Sequence, residues 1–199
     1  MHYYFTKYPY LQYPFTDSDG EYVMFSVPPE LLVYDFIRIY GTRPFTFFDC
    51  GAATGEIVWR AERFGLNATG IDVKKYPIQR PELEKLFTSG KIQIKSILDC
   101  DPIKADLAYC NGTLAYFTEE QMPDVLKKFT NCKMLVAIHN TTEDVDAAKK
   151  QGDVLFTCNE PRLTKPRDWW LKTFDKNGFN TSYNNKTQCF YALSKGLPR

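Results

Sequence analysis

Between residues 49 and 72 the chain carries an acid, three small residues at alternate positions and a second acid. These are Asp49, then Gly51, Ala53 and Gly55, then Asp72, 17 residues after Gly55. Glycine and alanine let a ligand approach backbone N–H groups closely, and a carboxylate at the end of a neighbouring strand accepts hydrogen bonds from a sugar diol. The chemistry that suits this spacing is retention of a nucleoside cofactor. A dinucleotide fingerprint, G-x-G-x-x-G, has two residues between its second and third small positions, whereas Gly51-Ala52-Ala53-Thr54-Gly55 has one, which counts against NAD. A second group of residues could serve an acceptor. His139 follows the apolar run 133–138 and titrates in the range a general base needs, although a lone histidine at a strand end is as often a structural residue. Asn111 and Tyr116, after the run 105–110, either orient a substrate or shape their loop.

The elements that must position these residues can be read from period and punctuation. Thr46, Phe47 and Phe48, bounded by Pro44 and Gly51, form a short β-prone run suited to a buried strand. Residues 56–64 follow as a helix with Ile57, Ala61 and Phe64 on one face and Gly65 as its stop. Residues 66–72 supply a second strand with Asp72 at its carboxyl end. Thr118, Glu119 and Glu120 open a helix whose apolar set is Met122, Val125, Leu126 and Phe129, and 133–138 reads as another buried strand. Upstream, Pro28-Pro29-Glu30 opens a helix to about Ile39, with Gly41 after its end.

With an acid two residues before the first glycine, the stretch from Asp49 to Gly55 resembles motif I of the class I S-adenosylmethionine-dependent methyltransferases, acid-x-Gly-x-Gly-x-Gly, with Ala53 where a glycine is common. The resemblance continues in the family's order across residues 45–194. It implies an α/β fold: a doubly wound, seven-stranded, mostly parallel sheet with helices on both faces and a C-terminal antiparallel hairpin. Residues 91–99 then look like the third strand and its terminal acid, 105–117 like the fourth strand and its loop, and 167–179 like the late helix that ends at Gly-Phe before the hairpin.

The cofactor implied is S-adenosylmethionine. The resemblance assigns Gly51, Ala53 and Gly55 to the donor loop, Asp72 to the ribose and Asp99 to the adenine amino group. Asp49 would hold the donor's amino group or stabilise the turn. Val73 and Cys100, next to those two acids, and Asn111 and Gly112, after the fourth strand, complete the implied cofactor set, with His139 and Tyr116 as catalytic candidates. Transfer is an in-line displacement at a sulfonium carbon and requires no covalent enzyme intermediate. The loop Cys110-Asn111-Gly112-Thr113 lacks the Asn/Asp-Pro-Pro-aromatic pattern of enzymes that methylate DNA amino groups. A small-molecule acceptor is therefore expected, such as a sugar or metabolite hydroxyl. The alternatives are a binding module of the same fold without catalysis and, less well supported, an NAD-type oxidoreductase.

Composition sets the remaining bounds. A chain of 199 residues, 44% hydrophobic, suits one domain, and 25 basic against 24 acidic residues give no nucleic-acid footprint. No apolar run approaches the ~20 residues that span a bilayer, and no signal peptide is apparent, so a soluble cytoplasmic protein is expected, without a membrane partner. Cysteines at 50, 100, 110, 132, 158 and 189 show no C-x-x-C spacing and read as buried reduced thiols rather than metal ligands. Residues 1–40 begin with Tyr3, Tyr4, Phe5, Tyr8, Tyr10, Tyr13 and Phe15, which either cover an apolar face or form a lid over the donor. The polar segment 141–166 and the helix start after it place Arg162, Lys165 and Arg167 either against an anionic acceptor or in solvent.

Overall fold

The computed structural model describes residues 27–78, 80–150, 163–185 and 187–198. The aromatic segment 3–15, Cys158 and Arg162 lie outside them. The chain enters through α1 (Pro29–Tyr40), where Pro29 occupies the first turn and Gly41, at φ 69°, ends the helix by donating its N–H to the Ile37 carbonyl. The strands and helices that follow are β1 (Thr46–Cys50), α2 (Glu56–Arg63), β2 (Asn67–Asp72), α3 (Pro81–Thr88), β3 (Ile92–Ile94), β4 (Leu107–Asn111), α4 (Met122–Lys127), β5 (Met134–Ile138), α5 (Thr142–Lys150), α6 (Arg167–Lys176), β6 (Phe179–Asn184) and β7 (Cys189–Ser194).

These strands form one seven-stranded sheet in the order β3-β2-β1-β4-β5-β7-β6. The first five run parallel; β7 is antiparallel to both β5 and β6. Successive side chains of a strand point to opposite faces, so each central strand feeds two apolar layers. Phe47 and Tyr109 pack in one layer with Leu32 and Phe36 of α1, Val58 of α2 and Leu86 of α3. Phe48, Ala108 and Cys110 pack in the other with Leu126 of α4, Trp170 and Phe174 of α6, and Phe190 of β7. Polar side chains fasten α1 to the sheet: the Tyr191 hydroxyl donates to Asp35 Oδ2 and that of Tyr40 to the Lys133 carbonyl, each at 2.6 Å.

Most of the expected elements are present. The helix expected after Thr118 is α4, preceded by a reciprocal pair in which the Thr118 N–H donates to Gln121 Oε1 and the Gln121 N–H to Thr118 Oγ1. The third strand is shorter than residues 91–99. It pairs only with β2, ends at Ile94, and gives way to a single 3₁₀ turn, Ile97–Asp99, capped by Ser96 Oγ accepting from the Leu98 N–H. Cys50, Cys100, Cys110, Cys132 and Cys189 are all buried free thiols, as their positions suggested. Among the described residues no helix is long and apolar enough to cross a membrane.

Candidate functional site

The motif I stretch is built from alternating left-handed residues. Gly51 and Gly55 both have φ 88°, and Ala53, between them, has φ 47°. The Gly51 and Ala52 N–H groups both donate to the Ile71 carbonyl at 2.9 Å, which pins the start of the loop to β2. Gly55 then stands at the N-cap of α2. The left-handed region costs a residue with a Cβ about 1 kcal/mol, so Ala53 is a strained position. Its conformation delivers the Ala53 N–H to Asp72 Oδ2 at 2.8 Å. Sequence reasoning ascribed the glycines to ligand approach, but the protein's own packing also demands them. A Cβ on Gly51 would lie 1.9 Å from Thr113 Oγ1, and one on Gly55 would lie 2.6 Å from Ile92 Cδ1.

Two acids meet beside this loop. Asp72, at the carboxyl end of β2, is buried, and its second oxygen, Oδ1, accepts from the Lys74 N–H at 3.2 Å. Asp49 lies within β1, opposite Gly70 and Tyr109, and is only 2% exposed. Burial, followed by the nearby charge of Asp72, pushes its pKa up to about 8. At neutral pH Asp49 is therefore mostly a neutral acid able to donate a proton in a hydrogen bond. Directly after Asp72, the Val73 side chain is 69% exposed, an apolar surface beside the carboxylate.

The residues assigned to the end of the third strand lie on the turn beyond it. Asp99 does not terminate a strand; it sits exposed on the 3₁₀ turn after β3. Cys100 is buried in the layer that holds Phe48 and Ile97, with its Sγ 3.3 Å from the Ser96 carbonyl. Burial raises its thiol pKa.

Across the sheet, β4 ends at Asn111, and Gly112, at φ 72°, turns the chain while donating its N–H to the Ile138 carbonyl at 2.6 Å. Thr113–Tyr116 forms a short 3₁₀ turn that leaves Tyr116 half exposed at the rim. His139 does not share that rim. Strand alternation sends it to the same face as Leu135 and Ala137. There its ring stacks on Phe190 at 4.7 Å and meets Trp170 at 3.7 Å between centroids. It is 5% exposed, neither ring nitrogen has a hydrogen-bond partner among the described residues, and burial lowers its pKa to about 3. His139 is thus enclosed by aromatic rings rather than open at the rim, which counts against the expected general base.

The cations beyond β5 are also engaged within the protein. Lys165 pairs with Glu119, and the Arg167 guanidinium lies 4.0 Å from the Tyr183 ring centroid, with Asp144 and Asn185 beside it. Thr113 was missed by sequence reasoning, although a hydroxyl residue directly after Gly112 was a visible signal.

No protein-family model matches this sequence, and no curated protein does. Solved structures do resemble it. The sugar N-methyltransferase KedS8 from Streptoalloteichus sp. ATCC 53650 superposes with a TM-score of 0.63 at 11% identity, covering 83% of this chain and 86% of KedS8. The magnesium protoporphyrin IX methyltransferase ChlM from Synechocystis PCC 6803, solved with bound SAH, gives a TM-score of 0.58 at 15% identity over 83% of this chain and 81% of ChlM. The small RNA methyltransferase HEN1 gives 0.60 at 13% identity over 86% of this chain but 26% of HEN1. Against several other matched structures the chain spans about half their length. Taken with the strand order and the antiparallel final pair, these likenesses establish that the chain has the class I methyltransferase fold.

Proposed function

We propose that this protein transfers a methyl group from S-adenosylmethionine to a small-molecule acceptor. The observation that carries the reading is the left-handed loop 51–55 presenting the Ala53 N–H to the buried carboxylate of Asp72, with the protonated Asp49 beside it. In this reading Asp72 accepts from the ribose hydroxyls, each of its oxygens retaining a lone pair beyond its one backbone N–H. Val73 offers an exposed apolar surface to the adenine. The carbonyl oxygen of the Asp49 acid accepts from the donor's amino group, Gly51, Ala53 and Gly55 hold the loop, and Asn111 and Gly112 close the donor site from β4. Asp99, exposed on the turn after β3, contacts the adenine amino group. S-adenosylmethionine supplies the methyl group as a sulfonium; the protein's task is to align that carbon with a nucleophile and exclude water.

The solved methyltransferases it resembles include one named for a sugar and one for a porphyrin, which supports a small-molecule acceptor. HEN1, named for small RNA, makes RNA methylation the outcome to test against. Tyr116, half exposed on the loop after β4, is the residue placed to orient the acceptor. Five buried free thiols suit a reducing, cytoplasmic setting, and the described elements fit a single domain. A second reading, a cofactor-binding module without turnover, draws on one observation: the burial of His139 leaves no exposed histidine among the described residues.

Calorimetric titration with S-adenosylmethionine and S-adenosylhomocysteine, with reduced NAD as control, tests the donor. Micromolar binding of both sulfur compounds and none of NAD is expected; binding of neither would remove the proposal. Once donor binding is established, a screen of hydroxyl acceptors alongside a short RNA separates the acceptor classes, and turnover on neither favours the module.

A further inference from the structure

Thr113 lies on the loop that leads to the acceptor rim, yet its side chain reaches back to the donor loop. Gly112, in the left-handed region, turns the chain out of β4 and over the end of β1. The Thr113 hydroxyl then donates to the Cys50 carbonyl at 3.0 Å, with the Asn111 carbonyl a second acceptor at 3.4 Å. Cys50 is the last residue of β1, so the carbonyl held in this way belongs to the peptide that begins the glycine loop. The same side chain fills the space above Gly51. A Cβ there would meet Thr113 Oγ1 at 1.9 Å, Cβ at 3.1 Å and Cγ2 at 3.3 Å. The first turn of the loop is thus clamped from two directions, by Thr113 from above and by the Ile71 carbonyl on the Gly51 and Ala52 N–H groups from the side. On its other side the β4 loop is tied to β5 through the Gly112 N–H.

We infer that Thr113 is a positioning residue for the methyl donor: it does not touch the donor, but its hydroxyl holds the glycine loop in the conformation that binds it. The inference rests on the reading of residues 51–55 as the donor loop. Its physical basis is that Cys50 and Cys110 form the last pair of the β1–β4 ladder, so the Thr113 hydroxyl adds a side-chain link to the Cys50 carbonyl where the backbone ladder stops. In-line transfer is sensitive to sub-ångström displacement, and a link between the donor loop and the acceptor rim is where such alignment is set.

The test uses the full chain and three variants, Thr113→Ser, Thr113→Val and Thr113→Ala, with calorimetric titration of S-adenosylmethionine and S-adenosylhomocysteine and a thermal melt of each. Thr113→Val should weaken both ligands roughly tenfold, the scale of one lost hydrogen bond. Thr113→Ala, which adds no methyl group over Gly51, should weaken them similarly, and Thr113→Ser should keep affinity within about twofold because the hydroxyl remains. If Thr113→Val does not fold, Thr113→Ala carries the test. Unchanged affinity in both hydroxyl-free variants, whatever their melting temperatures, would overturn the inference while leaving the donor reading intact. Equal losses in Ser, Val and Ala would also overturn it, since packing alone would then explain them. A wild-type chain that binds neither ligand overturns the donor reading itself.

Discussion

The carboxyl ends of β1 and β2 and those of β4 and β5 lie in the same sheet but treat their polar residues in opposite ways. At β1 and β2, acids and backbone donors face one another around a strained loop, and Asp49 is kept mostly neutral next to Asp72. At β4 and β5 the side chains that could do chemistry are turned inward or already engaged: His139 into an aromatic stack, Arg167 onto Tyr183 and Asp144. The β1–β2 half of that edge gathers acids and backbone donors; the β4–β5 half uses His139 and Arg167 as structure. In the proposed function, backbone shape specifies the donor and exposed loop residues such as Tyr116 are left to the acceptor.

The comparison is broken most directly at Asp72. Asp72→Ala removes the acceptor of the Ala53 and Lys74 N–H groups and the proposed ribose ligand, so donor affinity should fall on the order of a hundredfold or more, with the sheet still folded by circular dichroism. Unaltered affinity in calorimetry would end the donor reading.

Asp49 and His139 sharpen the contrast through pH, with opposite signs. The folded-state pKa of Asp49 is raised, so the folded chain keeps a proton that the unfolded chain releases; the stability this adds at low pH is lost as pH rises from about 4 to about 8. Asp49→Asn should therefore melt higher than the wild type by a few degrees at pH 8, an effect of at least about 1 kcal/mol, and by less at pH 5. His139 is lowered, so its stability is present above the unfolded value near 6.5 and is lost as pH falls towards about 3. His139→Phe should resist acid better than the wild type in thermal melts between pH 6 and 4, and should retain donor affinity at pH 7.5. An acid profile identical to the wild type would mean that the imidazole is not enclosed as described. A loss of turnover on an identified acceptor, with the variant folded and binding donor, would return His139 to the reaction.

The smallest effect is expected at Ala53. Replacing it with glycine relieves a left-handed alanine worth about 1 kcal/mol but frees the unfolded backbone by about 0.5–1 kcal/mol. The melting temperature should consequently stay within a few degrees. Donor affinity should hold, because the N–H that meets Asp72 is unchanged.

What could be read from residues alone was whatever depends on neighbours in the chain. The small-residue turn, the acid at the end of β2, the proline start and glycine stop of α1, the helix start after Thr118 and the Gly-Phe entry into the final hairpin follow from local conformational limits, and the structure contains each of them. The length of β3 was not local: Ile92–Ile94 pairs only with β2, and Ser96 caps the next turn instead of extending the strand. The facing of His139 was not local either, since one step along a strand exchanges the two layers and only α6 and Phe190 show which layer closes over it. Nor could spacing show that Thr113 occupies the volume above Gly51, because that contact spans 62 residues of chain from 51 to 113 and exists only once β1 and β4 lie side by side. Sequence determined where the chain turns and which residues line the turns, since those depend on dihedral freedom. Tertiary structure decided which polar groups remain available for chemistry, since burial and partnership arise only when distant segments pack.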